Sequence, residues 1–328
     1  MTNKDKTVIF SLTSCEDLAN KVCEELGMKK SCAIVRRFAD NEIFTRPCPD
    51  TDVKNKDVIV IHSTCQPVND KLMELLIFID SLKRAEARSI TAIIPYFGYV
   101  RQDRTIDFGD PISAKLVANC LRAAGCNRVI SVDYHSGSME PFFEGMECKE
   151  LYSSSVFAKY YRERLKKFRI SLDDIVIVSP DKGGLERAKH LSKALGDIPI
   201  AVLNKYRPEP NKAVITNIKG EPVAGKYCLM IDDIIDTAGT LTEAANELLK
   251  RGANSVRAFA THPILSGPAY ERIDKSALCE VYVTDTIPLD PSKKALQSKF
   301  RVVSLAATFA RMMMKVYNYE PISSEFPL

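Results

Sequence analysis

Two acidic residues side by side at the end of an apolar run, followed at once by a hydroxyl-rich turn, are the strongest chemical signal in this chain. The stretch is Tyr227 to Ala245, YCLMIDDIIDTAGTLTEAA. Its apolar start reads as a buried strand that ends in Asp232 and Asp233. A short loop follows, Asp236, Thr237, Ala238, Gly239 and Thr240, and then a helical pattern opens. Free N–H groups at a helix start, two hydroxyls and a glycine that admits close backbone approach make a phosphate cradle. Carboxylates repel phosphate but accept hydrogen bonds from sugar hydroxyls. A phosphate cradle beside polyol acceptors describes a sugar-phosphate site. The competing reading is a capped turn with solvated acids, which leaves two adjacent aspartates at a strand end without a purpose.

Three further features carry chemistry. The segment VIVSPDKGGLERA ends a strand near Asp181, then runs through Lys182, Gly183 and Gly184 into a helical pattern. Two glycines at a helix start suit another anion nest, with a structural turn as the alternative. Lys205 and Arg207, in VLNKYRPEP, open a polar segment that reaches about Gly225. No apolar period organises it, so it reads as a mobile flap whose basic residues close over phosphates. His135 follows the apolar run VISVDY. A lone histidine near a strand end is more often structural than a ligand.

The elements that must position these residues are legible as apolar runs near 58–63, 90–96, 128–135, 174–180, 227–233, 256–262 and 280–285. Each is followed by a helical pattern. Fully apolar strands between helices indicate parallel sheets covered on both faces, so the fold class is α/β. In such sheets ligands bind at the carboxyl ends of strands. A shift of 127 residues lays LVANCLRAAGCNRVISVDYH over EAANELLKRGANSVRAFATH, which reads as a duplicated α/β domain. The expected domains are 1–150 and 151–303. A C-terminal helix and tail, 304–328, would be free to pack on the first.

Composition narrows the classes. The 328 residues are 45% hydrophobic, ample for two cores. Lys plus Arg number 46 against 42 acids, net +4, with no block of five like charges. That balance argues against a dedicated nucleic-acid binder. The start, MTNKDKTVIF, lacks the apolar stretch of a signal peptide, and no apolar run approaches the roughly 18 residues of a membrane span. The ten cysteines include no C-x-x-C pair. They read as small buried hydrophobes in a reducing cytosol.

The stretch LMIDDIIDTAGT resembles the phosphoribosyl-diphosphate-binding motif of phosphoribosyltransferases, in the form found in ribose-phosphate diphosphokinases. Ordered motifs extend the likeness over nearly the whole chain: FADNEIF at 38–44, PVNDKLMELL at 67–76, IPYFGYVRQDR at 94–104, PISAKLVAN at 111–119, VSPDKGGLERA at 178–188 and THPILSGPAYERI at 261–273. The resemblance implies two phosphoribosyltransferase-like domains and transfer of diphosphate from MgATP to ribose 5-phosphate. It implies that Asp181 is a Mg2+ ligand and that the Asp181–Gly184 loop meets the diphosphate. It sets His135 beside the ATP phosphates and metal, with Asp133 as its support. Arg101 and Gln102 align with a nucleotide-contacting pair. Phe38, Asp40, Asn41 and Glu42 align with an element that reaches the adenine of a neighbouring subunit. Self-association is therefore implied, as a dimer or higher, a hexamer among the options. Lys205 would stabilise charge on the moving diphosphate, and Arg207 would assist.

Four departures stand out. Asn41 replaces a glycine, though Asn tolerates positive φ. Ser138-Met139-Glu140-Pro141 replaces a Gln-rich run. Asp52-Val53-Lys54 replaces a Ser–x–Arg-type pair, and the loop Arg104 to Asp110 holds two acids and one arginine. The last two lie where many relatives bind activating phosphate or inhibitory ADP. Two other classes compete. A phosphoribosyltransferase has no use for the RQDR and FADNE elements, and a catalytically silent regulatory paralogue should have lost Lys205, His135 or the acidic pair.

Overall fold

The structure, a computed structural model, describes residues 6–137, 139–209, 212–318 and 320, and for 205–209 and 212–216 the backbone only. The chain divides into two units, each built on a sheet.

The first unit comprises the chain to Leu151, the short segment Thr286–Pro288, and the chain from Ser304. Thr286–Pro288 lie inside the 151–303 stretch yet belong here: the Ser63 hydroxyl donates to the Thr286 carbonyl. In order come β1 (Thr7–Ser11), α1 (Glu16–Leu26), β2 (Lys30–Ser31), β3 (Ala33–Arg37), β4 (Ile43–Pro47), β5 (Asp57–Ile61), α2 (Val68–Arg84), β6 (Ser89–Ile94), α3 (Ser113–Ala124), β7 (Arg128–Val132) and β8 (Glu147–Leu151). The main sheet has the order β2-β1-β5-β6-β7-β8, and its strands pair in parallel. Strands such as VIFS and VIVI are buried on both faces, which is why they read as unbroken apolar runs. Helix α3 stops at Gly125, whose φ of 115° favours glycine and where a Cβ would meet Lys83 at 2.7 Å. Strands β3 and β4 form a separate antiparallel hairpin.

That hairpin corrects one expectation. Cys32 and Cys48 are joined by a disulfide, with Cα atoms 5.4 Å apart, so not every cysteine is a free thiol. They are 16 residues apart, and the hairpin register brings them together: Cys48 N–H donates to the Cys32 carbonyl one step beyond the Ala33–Pro47 pair. Six of the remaining thiols are buried, in line with small core hydrophobes.

The second unit contains α4 (Ser154–Phe168), β9 (Ile175–Ser179), α5 (Leu185–Leu195), β10 (Ile200–Glu209), β11 (Lys212–Gly220), β12 (Tyr227–Ile235), α6 (Gly239–Lys250), β13 (Ser255–Pro263), α7 (Ala269–Lys275), β14 (Leu278–Thr284) and β15 (Phe300–Val303). Its sheet order is β11-β10-β9-β12-β13-β14-β15. All neighbours are parallel except β10 and β11. The final helix, α8 (Ala306–Asn318), packs on α1 in the first unit, and the Tyr317 hydroxyl reaches Met28 Sδ at 3.9 Å. Among the described residues no helix is long and apolar enough to cross a membrane.

Two mainly parallel sheets with helices match the α/β, duplicated architecture. The register of the sequence repeat does not hold, however. Counting from the first long strand, β1, β5, β6, β7 and β8 correspond to β9, β12, β13, β14 and β15. The equivalent of α6–β13 is therefore α2–β6, not the α3–β7 unit that the 127-residue shift selects. The shift was attractive because both units stop a helix at a positive-φ glycine, Gly125 and Gly252, and then start a buried strand.

The segment after Lys205 is also corrected. It is no unstructured flap: β10 and β11 pair antiparallel, with Lys205 opposite Ile215 and Tyr206 opposite Val214. Its β-branched residues alternate only weakly with polar ones, so a short-window reading missed the strand.

Candidate active site

The second unit gathers the residues expected to meet sugar and phosphate on consecutive strands. The sheet runs β10, β9, β12. β9 and β12 are parallel, with Ile177 beside Leu229 and Val178 beside Met230. β10 lies parallel on the other flank of β9, with Val202 beside Ser179. The loop Asp181–Gly184 leaves the carboxyl end of β9. Asp232 and Asp233 sit near the carboxyl end of β12, and Asp236–Thr240 follow. Lys205 and Arg207 lie on β10 beyond its pairing with β9. Their side chains lie outside the described residues.

The acidic pair is unusual. Consecutive residues of a strand normally send their side chains to opposite faces. Here Arg187 Nη1 lies 3.5 Å from Asp232 Oδ1 and 3.4 Å from Asp233 Oδ1. Asp233 is buried, and its backbone N–H donates to Asp232 Oδ1 at 2.9 Å. Burial pushes the Asp232 carboxyl well above the usual carboxylate range. The neighbouring Asp233 and then Asp181 add to the rise, and Arg187 opposes it.

The loop beyond β12 is shaped for an anion. Ala238 adopts φ 59° at the N-cap of α6, a left-handed conformation that costs an alanine energy and collects at functional turns. The N-cap residue itself offers no side-chain cap to that helix, an arrangement that suits a bound anion. Arg272, from α7, donates to the Thr237 carbonyl at 3.0 Å and fixes the loop from behind. In the loop after β9, Asp181 Oδ1 accepts from the Gly184 N–H at 3.0 Å, and the Ser179 hydroxyl donates to the Asp181 carbonyl at 2.6 Å. Gly184 is the N-cap of α5, again without a side-chain cap.

The first unit holds the other predicted residues. Phe38–Glu42 form the tip of the β3–β4 hairpin. Phe38 N–H donates to the Glu42 carbonyl and Asn41 N–H to the Phe38 carbonyl, while Asp40 Oδ1 accepts from the Glu42 N–H. Asn41 takes φ 70°, as its tolerance for that region allows. Phe38 is 49% exposed, with the Arg36 guanidinium 5.6 Å from its ring centroid and Phe44 packed at its edge. Arg36 stacks over Phe44 at 4.4 Å, and Arg37 ties the tip to Asp70 of α2 at 2.6 Å. Arg101 and Gln102 follow β6 and are exposed, with Gln102 accepting from the Ser113 hydroxyl at 2.5 Å. His135 follows the adjacent β7 and is exposed; Asp133 is buried with φ 40°, its N–H given to Leu151. Another histidine, His62, is fully buried between Ser14 and the Lys71 carbonyl. Burial holds it down to about 4, so it is a neutral structural residue.

Among the described residues, no group of three or more His, Cys, Asp or Glu side chains is placed to hold a metal ion. A hard divalent ion that keeps water and borrows substrate phosphate needs only one or two protein ligands, and the Asp181 carboxylate of the second unit offers oxygen of that kind. Sequence reasoning missed Arg187 and Arg272. Both stood inside quoted motifs, but only folding shows what their guanidinium groups touch.

Residues 7–125 match the family model described as the N-terminal domain of ribose phosphate pyrophosphokinase, and residues 184–327 match the phosphoribosyl synthetase-associated domain. A ribose-phosphate pyrophosphokinase of Fusobacterium nucleatum is 42% identical over 99% of this chain and 100% of its own length. One from Campylobacter jejuni is 45% identical over 97% of this chain and 98% of its own. Among solved structures, the phosphoribosylpyrophosphate synthetase of Mycobacterium smegmatis matches with a TM-score of 0.86 and 35% identity, covering 96% of this chain and 99% of that one.

Proposed function

The chain belongs to the ribose-phosphate pyrophosphokinase family and is an enzyme, and we propose that it transfers the terminal diphosphate of ATP to the 1-hydroxyl of ribose 5-phosphate, for nucleotide biosynthesis. The products are 5-phosphoribosyl 1-diphosphate and AMP. One observation carries the reading: an acidic pair with a phosphate loop, an anion loop, and the lysine strand all belong to the adjacent strands β12, β9 and β10. Asp232 and Asp233 accept from the ribose hydroxyls, and Asp236–Thr240 cradle the 5-phosphate. Asp181–Gly184 receive the diphosphate. Phe38–Glu42, Arg101, Gln102 and His135 hold the nucleotide. Lys205 and Arg207 offset the charge that builds on the moving group. Asp181 and His135 are the proposed Mg2+ ligands, and the ion would supply further charge neutralisation when bound. The ribose oxygen attacks the β-phosphorus in line, and positioning with charge stabilisation provides most of the rate. The working unit is at least a dimer, because the hairpin tip serves a neighbouring subunit's nucleotide in this family. It acts in the cytoplasm, on ATP and ribose 5-phosphate, with neither nucleic acid nor membrane as a partner.

The test is whether AMP forms from MgATP only when ribose 5-phosphate is present. AMP without the sugar, or no AMP with it, overturns the reading. Release of diphosphate from 5-phosphoribosyl 1-diphosphate on adding a nucleobase would instead make it a phosphoribosyltransferase.

Weak activation by inorganic phosphate is expected as well. In the segment Asp52-Val53-Lys54, Lys54 is paired with Glu86 at 2.6 Å and Asp52 with Lys56 at 3.2 Å. In the loop at 104–110, Asp110 accepts from the Ile106 and Asp107 N–H groups and keeps its charge there. An anion meets added carboxylates and a lysine already engaged. Each lost charged hydrogen bond is worth roughly 1.5–3 kcal/mol, so two would weaken an anion site about 100-fold or more. Titrating phosphate into phosphate-free enzyme at fixed ionic strength should give little rise in rate, and ADP should compete with ATP. A large, saturable rise at low millimolar phosphate would refute this.

A further inference from the structure

We propose that Arg187 is a positioning residue for ribose 5-phosphate, clamping Asp232 and Asp233 together and tying them to the helix that begins at the diphosphate loop; this rests on the sugar-site reading given above. The clamp is visible in a single atom. Nη1 of Arg187 lies within 3.5 Å of carboxylate oxygens from two consecutive strand residues, groups that an extended strand would send apart. Its side chain is only 15% exposed, so the guanidinium is largely withdrawn from water. No requirement of the helix itself explains it: Arg187 is the third residue of α5, where the helix dipole disfavours a cation. The acidic pair offsets that cost.

The placement has a consequence for the ligand. Asp181, Asp232 and Asp233 concentrate negative charge where a sugar phosphate and a diphosphate, both anions, must arrive. One interior cation lowers that charge without filling the acceptor positions, because each carboxylate keeps lone pairs that Nη1 does not use. The mechanical link is short. Asp181 Oδ1 accepts from the Gly184 N–H, Gly184 is the N-cap of α5, and Arg187 follows within the first turn. The diphosphate loop and the hydroxyl acceptors are thereby held in one frame.

The experiment compares Arg187→Met, Arg187→Lys, Asp232→Asn/Asp233→Asn, and Arg187→Met in that double-variant background. Calorimetry gives affinities for ribose 5-phosphate and for MgATP. Arg187→Met should weaken ribose 5-phosphate binding by roughly tenfold or more and leave MgATP within about twofold, and Arg187→Lys should recover part of the loss. With both aspartates already changed, Arg187→Met should cost less than about threefold further, since a residue that acts through a partner has no effect once that partner is removed. Full additivity would mean that Arg187 contacts the ligand itself, and equal losses for both ligands would mean general damage; either result overturns the proposal. If Arg187→Met does not fold, Arg187→Gln carries the same comparisons. A loss in the double aspartate variant with none in Arg187→Met overturns the positioning role alone. Unchanged affinity in the double aspartate variant overturns the sugar-site reading beneath it.

Discussion

Lys205→Ala should lower kcat by on the order of 10² or more, with little change in affinity for either substrate. The reaction moves a highly charged group between two oxygens, and negative charge shifts as the old bond weakens. A cation that meets this charge only in the transition state speeds the step without tightening the ground-state complex. Lys205 is suited to that role by its place. β10 flanks β9, and Lys205 lies three residues past Val202, the last β10 residue paired with β9. It therefore extends along the strand from which the diphosphate loop's own strand takes its neighbour. The antiparallel pairing with β11 gives its backbone a defined register, opposite Ile215. A factor of 10² corresponds to about 2.7 kcal/mol of transition-state stabilisation, ordinary for one charged contact of this kind. Steady-state kinetics on both substrates decide the matter. If only KM rises, Lys205 is a binding residue and the catalytic role is wrong. Arg207→Ala should follow the same pattern more mildly.

Asp232→Asn/Asp233→Asn should weaken ribose 5-phosphate binding by on the order of 10² or more while MgATP still binds. The acidic pair accepts hydrogen bonds from hydroxyls with the negative charge it carries; the amides keep the shape and lose that charge. Two charge-assisted bonds at roughly 1.5–3 kcal/mol each make the combined loss large. The proposed nucleotide elements Phe38–Glu42, Arg101 and His135 belong to the first unit and the acidic pair to the second, so MgATP binding is expected to persist. The substitution also removes the partners of Arg187, a largely buried cation. Some stability should be lost with it. Thermal unfolding measured in parallel separates that loss from the affinity change. Retained ribose 5-phosphate affinity in a folded variant would end the assignment of the acidic pair.

Much of the site could be read before any fold was known, because its groups are local in sequence. Asp232 to Thr240 form one unbroken stretch, and strand, acids, glycine and helix start each follow from residue type and order. Asp181–Gly184 are legible in the same way. Arg187 and Arg272 were not. An arginine three residues into a helix looks like a solvated one until tertiary packing turns it onto two carboxylates. Arg272 lies 35 residues from the carbonyl it holds. Cys32 and Cys48 gave no motif, since their pairing depends on the register of a hairpin rather than on their spacing.

The sequence by itself determined the α/β class, the mainly parallel sheets and the glycine- and hydroxyl-bearing turns that follow the strands. Hydrophobic period, glycine stops and hydroxyl-rich turns act over a few residues, and the chain writes them in order. Only the tertiary structure decided strand neighbours. The order β10-β9-β12 joins three elements spread over about 60 residues, and no local pattern encodes it. The true correspondence between the two units was hidden for the same reason. Helix–strand units bury the same kind of apolar face, and several stop at the same kind of glycine, as at Gly27, Gly125, Gly196 and Gly252, so local likeness marks the type of unit. Its place in the sheet is set by long-range pairing, which depends on how whole faces pack.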